Sequence, residues 1–350
     1  MRSASNHLTT QKNGFAVQRL TALWAFSESA LGGVLHALQA PFTGLIVGGF
    51  AVLLISLIAF FSQQFKQIFT SLFIVLIIKA MVSPNTPFPA YIAVSFQALI
   101  AVVLFTLLRI NFLSILLLSI TSLLESALQK ILLLTFFFGQ SIWKAADSLL
   151  GVIATQFNLT TTHGSYWIVS IYLFIHVLAA IAIALFSYKL LKSFSMHIPS
   201  ADVPDFGMNG DEKLFLVKRK KNDRKLIIFL AVSVCISVVL FVFTANSKQG
   251  WTAVLRSLSW TITALAVWYF VAQMFTKFLT TYLHKKTTPR ANQVTQIVSL
   301  FPVLQQLIVG AWRRSVEYNG IKRVSFFITT VINWSLTSPG FSFTGTPSKK

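Results

Sequence analysis

Three polar residues in an apolar setting are the first candidates for chemistry. Glu28, His36 and Gln39 stand eight and three positions apart, which places them near one stripe of a helix. A buried carboxylate beside a histidine would hold a cation or a substrate amine. The simpler reading of residues 21–40 is an amphipathic helix in the membrane interface, with Glu28 among the headgroups. A re-entrant dip before Pro41 also fits the composition. Further along, Gln97, Gln129, Gln140, Lys144, Asp147, Tyr172 and His176 are polar groups expected inside a helical bundle. Lys144 and Asp147, three apart, are expected to form a structural ion pair, which lowers the cost of both near lipid. The substrate-binding candidates are therefore Glu28, His36, Gln97, Gln140, Tyr172 and His176. A lone mid-span histidine such as His176 more often bonds a neighbouring helix than a ligand.

Other chemistries lack their residues. The six histidines are scattered without ligand spacing, and Cys235 is the single cysteine, so neither a metal nor a disulfide is expected. There is no Walker A loop, HExxH or GxSxG. Of the nine acidic residues, five lie in one hydrophilic loop: Asp202, Asp205, Asp211, Glu212 and Asp223. No catalytic site and no cofactor are expected, and the chain is read as a non-enzyme.

The elements that must position these groups are membrane helices. No charged residue falls between Glu28 and Lys66, Lys79 and Arg109, Asp147 and Lys189, Lys225 and Lys248, or Arg256 and Lys277. Several of these runs exceed the roughly 18–20 apolar residues that cross a bilayer as a helix. A mean hydropathy of +0.72 with 11% charged residues excludes an ordinary soluble protein. The expected fold is all-α: a polytopic bundle of about eight spans, near 42–61, 67–82, 90–108, 110–125, 131–152, 166–188, 226–245 and 257–277. Only Arg109 separates the third and fourth, so a very tight turn or a re-entrant segment is expected there. Lys79 is expected to snorkel to the cytoplasmic face.

Lys and Arg number 29 against nine Asp and Glu, a formal charge of +20. The positive-inside rule explains this better than nucleic-acid binding, since the basic residues lie scattered over loops. The 189–225 loop carries nine of them, including Lys213, Lys218, Arg219, Lys220 and Lys221, and is expected to be cytoplasmic. Both termini then fall on the cytoplasmic side, with the first span as an uncleaved signal anchor. The expected organisation is a polar tail (1–20), a six-span block (21–190), a basic loop (191–225), a two-span hairpin (226–281) and a basic tail (282–350). The expected location is a bacterial inner membrane.

Two local patterns concern packing. Gly44 and Gly48 share a face of the first span and would let another helix backbone approach closely. In 291–312, Val294, Ile297, Phe301, Leu304 and Ile308 recur at helical steps, with Pro302 expected to bend the helix. That stripe is expected to lie on the membrane surface or dock a cytoplasmic partner.

Two stretches carry a resemblance. One is Glu28-Ser29-Ala30-Leu31-Gly32-Gly33 running to His36, Pro41 and Gly44. The other runs from Ser83-Pro84 through Pro89-Ala90-Tyr91 into Gln97. With the six-span plan, the 21–190 block resembles the substrate-binding S component of energy-coupling-factor transporters. The resemblance implies a small vitamin-like substrate taken from the outer side. It also implies partners: a transmembrane coupling subunit and cytoplasmic ATPases. It assigns no individual binding residue, and the hairpin and basic tail depart from the simple S plan. The expected function is a substrate-binding subunit or small-solute transporter driven by separate partners. The alternative is a non-transporting scaffold that recruits partners or anionic lipid through its basic loop and tail.

Overall fold

The computed structural model describes residues 2–37, 42–83, 86, 88–156, 163–196 and 289–338. Every described secondary-structure element is a helix. In chain order they are α1 (Arg2–Phe26), a π-turn (Ser27–Leu31), α2 (Gly32–Ala37), α3 (Thr43–Ser62), α4 (Lys66–Val82), α5 (Phe88–Leu108), α6 (Phe112–Phe138), α7 (Ser141–Gln156), α8 (Gly164–Met196), α9 (Pro289–Ser299), α10 (Phe301–Arg314) and α11 (Gly320–Thr337). The expected spans at 226–245 and 257–277, and most of the basic loop, lie outside the described residues.

Five described segments are long and apolar enough to cross a membrane: Thr43–Ser62, Phe88–Leu108, Phe112–Phe138, Gly164–Phe194 and Gln293–Glu317. The protein is an all-helical membrane protein. The chain forms two compact units, one comprising 1–130, 167–212 and 283–350, the other 131–166 and 213–282.

In the first unit α3 is the central helix. Burial covers 72% of its apolar window against 17% for α8, so α3 packs on protein while α8 leaves most of its apolar surface uncovered. Val52 to Ile55 and Leu57 to Ala59 are essentially inaccessible. Between apolar helices in lipid the gain is close van der Waals contact rather than removal from water. α1 packs against α3 and α4, and α5 against the same two helices. The antiparallel order α3–α4–α5 thus needs only short turns.

Each turn has a local cause. Gln63 closes α3 in the left-handed conformation at φ 53°, and its N–H returns to the Ala59 carbonyl at 3.1 Å. Arg109 takes φ 56° between α5 and α6. Asn111 then starts α6: its Oδ1 accepts the Ser114 N–H at 2.8 Å, and Ser114 Oγ accepts the Asn111 N–H at 3.0 Å. This reciprocal cap makes the Arg109 junction a tight turn between α5 and α6.

Three expectations are corrected. First, 21–31 is not an interfacial helix. Leu20, Ala22, Leu23, Trp24 and Ala25 are buried, as are Ser27, Glu28 and Ser29, because α3 and α4 cover this part of α1. Second, helix does not lapse between 126 and 130. α6 runs unbroken through Glu125, Gln129 and Lys130 and ends at Gly139, whose φ of +61° favours glycine. Third, the stripe in the tail is covered by the protein itself. α9 packs on α1 and α4, α10 packs on α1, and Val294, Ile297 and Leu304 are buried. Pro302 sits in the first turn of α10, where a proline is accommodated, so the chain breaks at Leu300 instead of bending.

In the second unit, Gly139 separates the end of α6 from α7. Trp143 Nε1 donates to Thr135 Oγ1 at 3.1 Å across that turn. α7 has 16 residues, about 24 Å at 1.5 Å per residue, short of the ~30 Å hydrocarbon core.

Candidate functional site

The π-turn places the first functional side chain. Ser27 Oγ and Ser29 Oγ bond back to the carbonyls of Trp24 and Ala25 at 2.9 and 2.7 Å. Such back-bonding bends helices. Gly32 N–H then reaches the Ser27 carbonyl across a widened turn. Glu28, inside this turn, meets Lys79 of α4: Lys79 Nζ donates to Glu28 Oε2 at 2.7 Å. The two side chains are 2% and 3% exposed, so the pair is fully desolvated. Lys79 does not snorkel, because its partner lies inside the bundle. Its ammonium also stands 5.7 Å from the centre of the Tyr91 ring, a cation–π contact. The Tyr91 hydroxyl bonds the Thr86 side chain, and Thr86 Oγ1 donates to Ser83 Oγ at 2.9 Å. A Cβ on Gly33 would lie 3.1 Å from that same Ser83 Oγ. Ser83, at the end of α4, thus lies close to Gly33 of α2.

A second cluster forms on the glycine face of α3. A Cβ on Gly44 would meet Ser126 Oγ of α6 at 1.8 Å, and one on Gly48 would meet Gln97 Nε2 of α5 at 3.0 Å. Gly44 and Gly48 are one turn apart, so Ser126 and Gln97 approach α3 about 6 Å apart along its axis. The neighbours of both glycines are α5 and α6 of the same chain. Gln97 is 2% exposed. Its Oε1 has no hydrogen-bond partner, and neither do Glu125 Oε2 and Ser122 Oγ on α6. Ser122, Glu125, Ser126 and Gln129 recur at three- and four-residue steps, so α6 carries a polar stripe. Gln129 Nε2 donates to the Pro89 carbonyl at 2.9 Å, which anchors one end of that stripe to the start of α5.

A third cluster joins α8 to the start of α3. Tyr172 and His176 have ring centres 4.4 Å apart, and Phe42 stacks on Tyr172 at 5.8 Å. His176 is buried, with Nδ1 2.8 Å from the Tyr172 carbonyl. Phe42 itself takes φ 62°, an uncommon conformation for an aromatic residue. Tyr172 and His176 are thus together, against an aromatic neighbour.

The remaining candidates fall elsewhere. Gln140 is exposed in the turn before α7, not inside a bundle, because the helix break lies at Gly139. The side chain of His36 and all of Gln39 lie outside the described residues. Lys144 and Asp147 do not pair. Lys144 is exposed, and Asp147 Oδ1 accepts the Ser165 N–H at 2.6 Å, capping the start of α8. The Ser165 backbone N–H, then its hydroxyl, hold the Asp147 carboxyl below its ordinary pKa, with nearby His163 adding a smaller effect. Among the described residues, no group of three His, Cys, Asp or Glu is placed to hold a metal ion.

Sequence reasoning missed Lys79 as a buried partner, and missed Tyr91, Ser122, Glu125 and Ser126. The stripe on α6 had a signal, its helical spacing. The Glu28–Lys79 pair had a weaker one: each is a lone charge bordering a long uncharged run.

No protein-family model, curated protein or solved structure matches the chain. The class defined by fold and site is therefore an all-helical membrane protein with buried polar side chains.

Proposed function

We propose that the chain is a substrate-binding subunit or small-solute transporter of a bacterial inner membrane, energised by separate partner proteins. The observation that carries this reading is two unpartnered buried acceptors, Gln97 Oε1 of α5, whose amide lies beside Gly48 of α3, and Glu125 Oε2 on the polar stripe of α6. Buried polar atoms in a folded protein nearly always have partners, and an orphan acceptor in an apolar bundle costs about 1–3 kcal/mol. A solute that donates hydrogen bonds, such as an amine, amide or alcohol, would offset that cost. The fixed charges of Glu28 and Lys79, already paired, would frame the site without competing for it. The resemblance of the 21–190 block to S components points the same way, towards a vitamin-like solute and ATP-hydrolysing partners.

A second reading, the non-transporting scaffold, draws on a different observation. The centre of α3 is packed solidly with Leu54, Ile55, Leu57 and Ile58. Purification followed by mass spectrometry of co-purifying small molecules and proteins separates the two. A bound solute that is lost in Gln97→Leu and Glu125→Gln supports transport. Copurified structural partners with no solute in the parent protein support the scaffold.

A further inference from the structure

At the opposite end of α3, by the α3–α4 turn, lies a cavity of about 570 Å³. That volume is within the roughly 300–1,000 Å³ of small-molecule sites. Its wall comes from α1, the α3–α4 turn, α4 and α9, so the tail helix completes it. None of its fourteen described lining residues is ionisable, in a chain of formal charge +20. Six of the fourteen are glutamines, among them Gln18 and Gln67 on one side and Gln293 and Gln296 on the other. Each amide offers both an acceptor oxygen and two N–H donors. Ser62 and Thr70 add hydroxyls, while Val17, Ile74 and Ile297 supply an apolar patch.

We propose that this cavity is a ligand site, separate from the interior polar cluster, and that it takes a neutral sugar ring. A sugar hydroxyl both donates and accepts, which matches amides better than charged groups do. One face of a sugar ring is lined with C–H groups, which matches the aliphatic patch. Among the described lining residues, a carboxylate or phosphate would find no cation to offset its desolvation. A flat nucleobase would find no aromatic ring among the described lining residues to stack on. The sugar is either free or the headgroup of a glycolipid, since the site lies where the apolar stretch of α3 ends at Ser62.

The test uses the full chain in nanodiscs of phosphatidylethanolamine and phosphatidylglycerol, purified without sugar-headgroup detergents, which would occupy the site. Maltose, sucrose and trehalose probe the free form, glucosyl-diacylglycerol in the disc probes the headgroup form, and glucuronate is the anionic control. Saturable binding of one neutral probe is expected, with glucuronate at least tenfold weaker. Gln67→Leu with Gln296→Leu should weaken that binding at least tenfold at an unchanged melting temperature. If the leucines lower the melting temperature, Gln296→Met, which keeps the length and removes the amide, should show the same loss. Gln97→Leu should leave it unchanged. The proposal is overturned if no neutral probe binds, if glucuronate binds equally well, or if a stably folded variant at Gln67 and Gln296, or at Gln296 alone, retains parent affinity.

Discussion

Glu28 and Lys79, 51 positions apart, meet at 2.7 Å with neither side chain reaching solvent. Removing one partner of such a pair strands a buried charge, at about 3–5 kcal/mol. Lys79→Met and Glu28→Gln should each lower the melting temperature of the purified protein sharply. The double variant should melt higher than Lys79→Met, because no uncompensated charge remains. Equal melting of all three variants and the parent would show that the pair contributes nothing to the fold.

The glycine face of α3 gives a steric prediction. Gly44→Ala places a methyl group 1.8 Å from Ser126 Oγ, well inside contact distance. The hydroxyl or a helix must move, and overpacking of this kind costs about 1–3 kcal/mol. Gly44→Ala should therefore destabilise the protein, and adding Ser126→Ala should recover part of the loss. Gly48→Ala, whose nearest neighbour is the Gln97 amide at 3.0 Å, should be milder. Thermal melts of the four proteins give the order directly.

Asp147 gives a pH dependence. Its carboxyl accepts the Ser165 N–H, so it ionises more readily folded than unfolded. The stabilisation is fully present above the ordinary carboxyl pKa of 3.8 and is lost as pH falls through the lower folded value. Exchange protection of amides 164–168, corrected for intrinsic rate, should drop over that acidic window. Asp147→Asn should remove the drop, and Lys144→Ala should not alter it. A parent profile flat in acid would exclude the cap.

What could be read in the sequence divides along physical lines. Helices held by a continuous apolar run showed their limits closely: 42–61 against Thr43–Ser62, 67–82 against Lys66–Val82, 90–108 against Phe88–Leu108. The reading failed where polar residues were taken as punctuation. Glu125, Gln129 and Lys130 look like a loop, yet α6 runs through them, with Glu125 Oε2 buried, Gln129 bonded to the Pro89 carbonyl and Lys130 exposed. Glu28 looks interfacial for the same reason, since nothing within α1 reveals that Lys79 of α4 will neutralise it. Among the candidate residues, Gln97, Tyr172 and His176 do lie in the bundle. Asp147 was mispaired because spacing within one helix cannot foresee a bond to Ser165 at the start of the next.

The tail gives the last prediction. Leu304 is fully buried, and Phe301 meets Phe26 of α1 edge to face with ring centres 5.2 Å apart. Their helix, α10, packs against α1 as α9 does, and the Arg19 guanidinium of α1 bonds the Leu336 carbonyl of α11. The tail is thus part of the bundle's own packing. Leu304→Ser would remove a buried side chain and bury a hydroxyl, and large-to-small changes of this sort cost about 2–5 kcal/mol. Combined with Phe301→Ser, it should lower the melting temperature of the whole protein. It should also expose α1 to protease, because α1 loses the neighbours that cover it. A helix lying on the membrane surface would behave differently, releasing the tail alone and leaving residues 14–130 as resistant as in the parent. Protease mapping of parent and double variant distinguishes the two. Cleavage confined to residues beyond 288 would show that the tail is not part of the core.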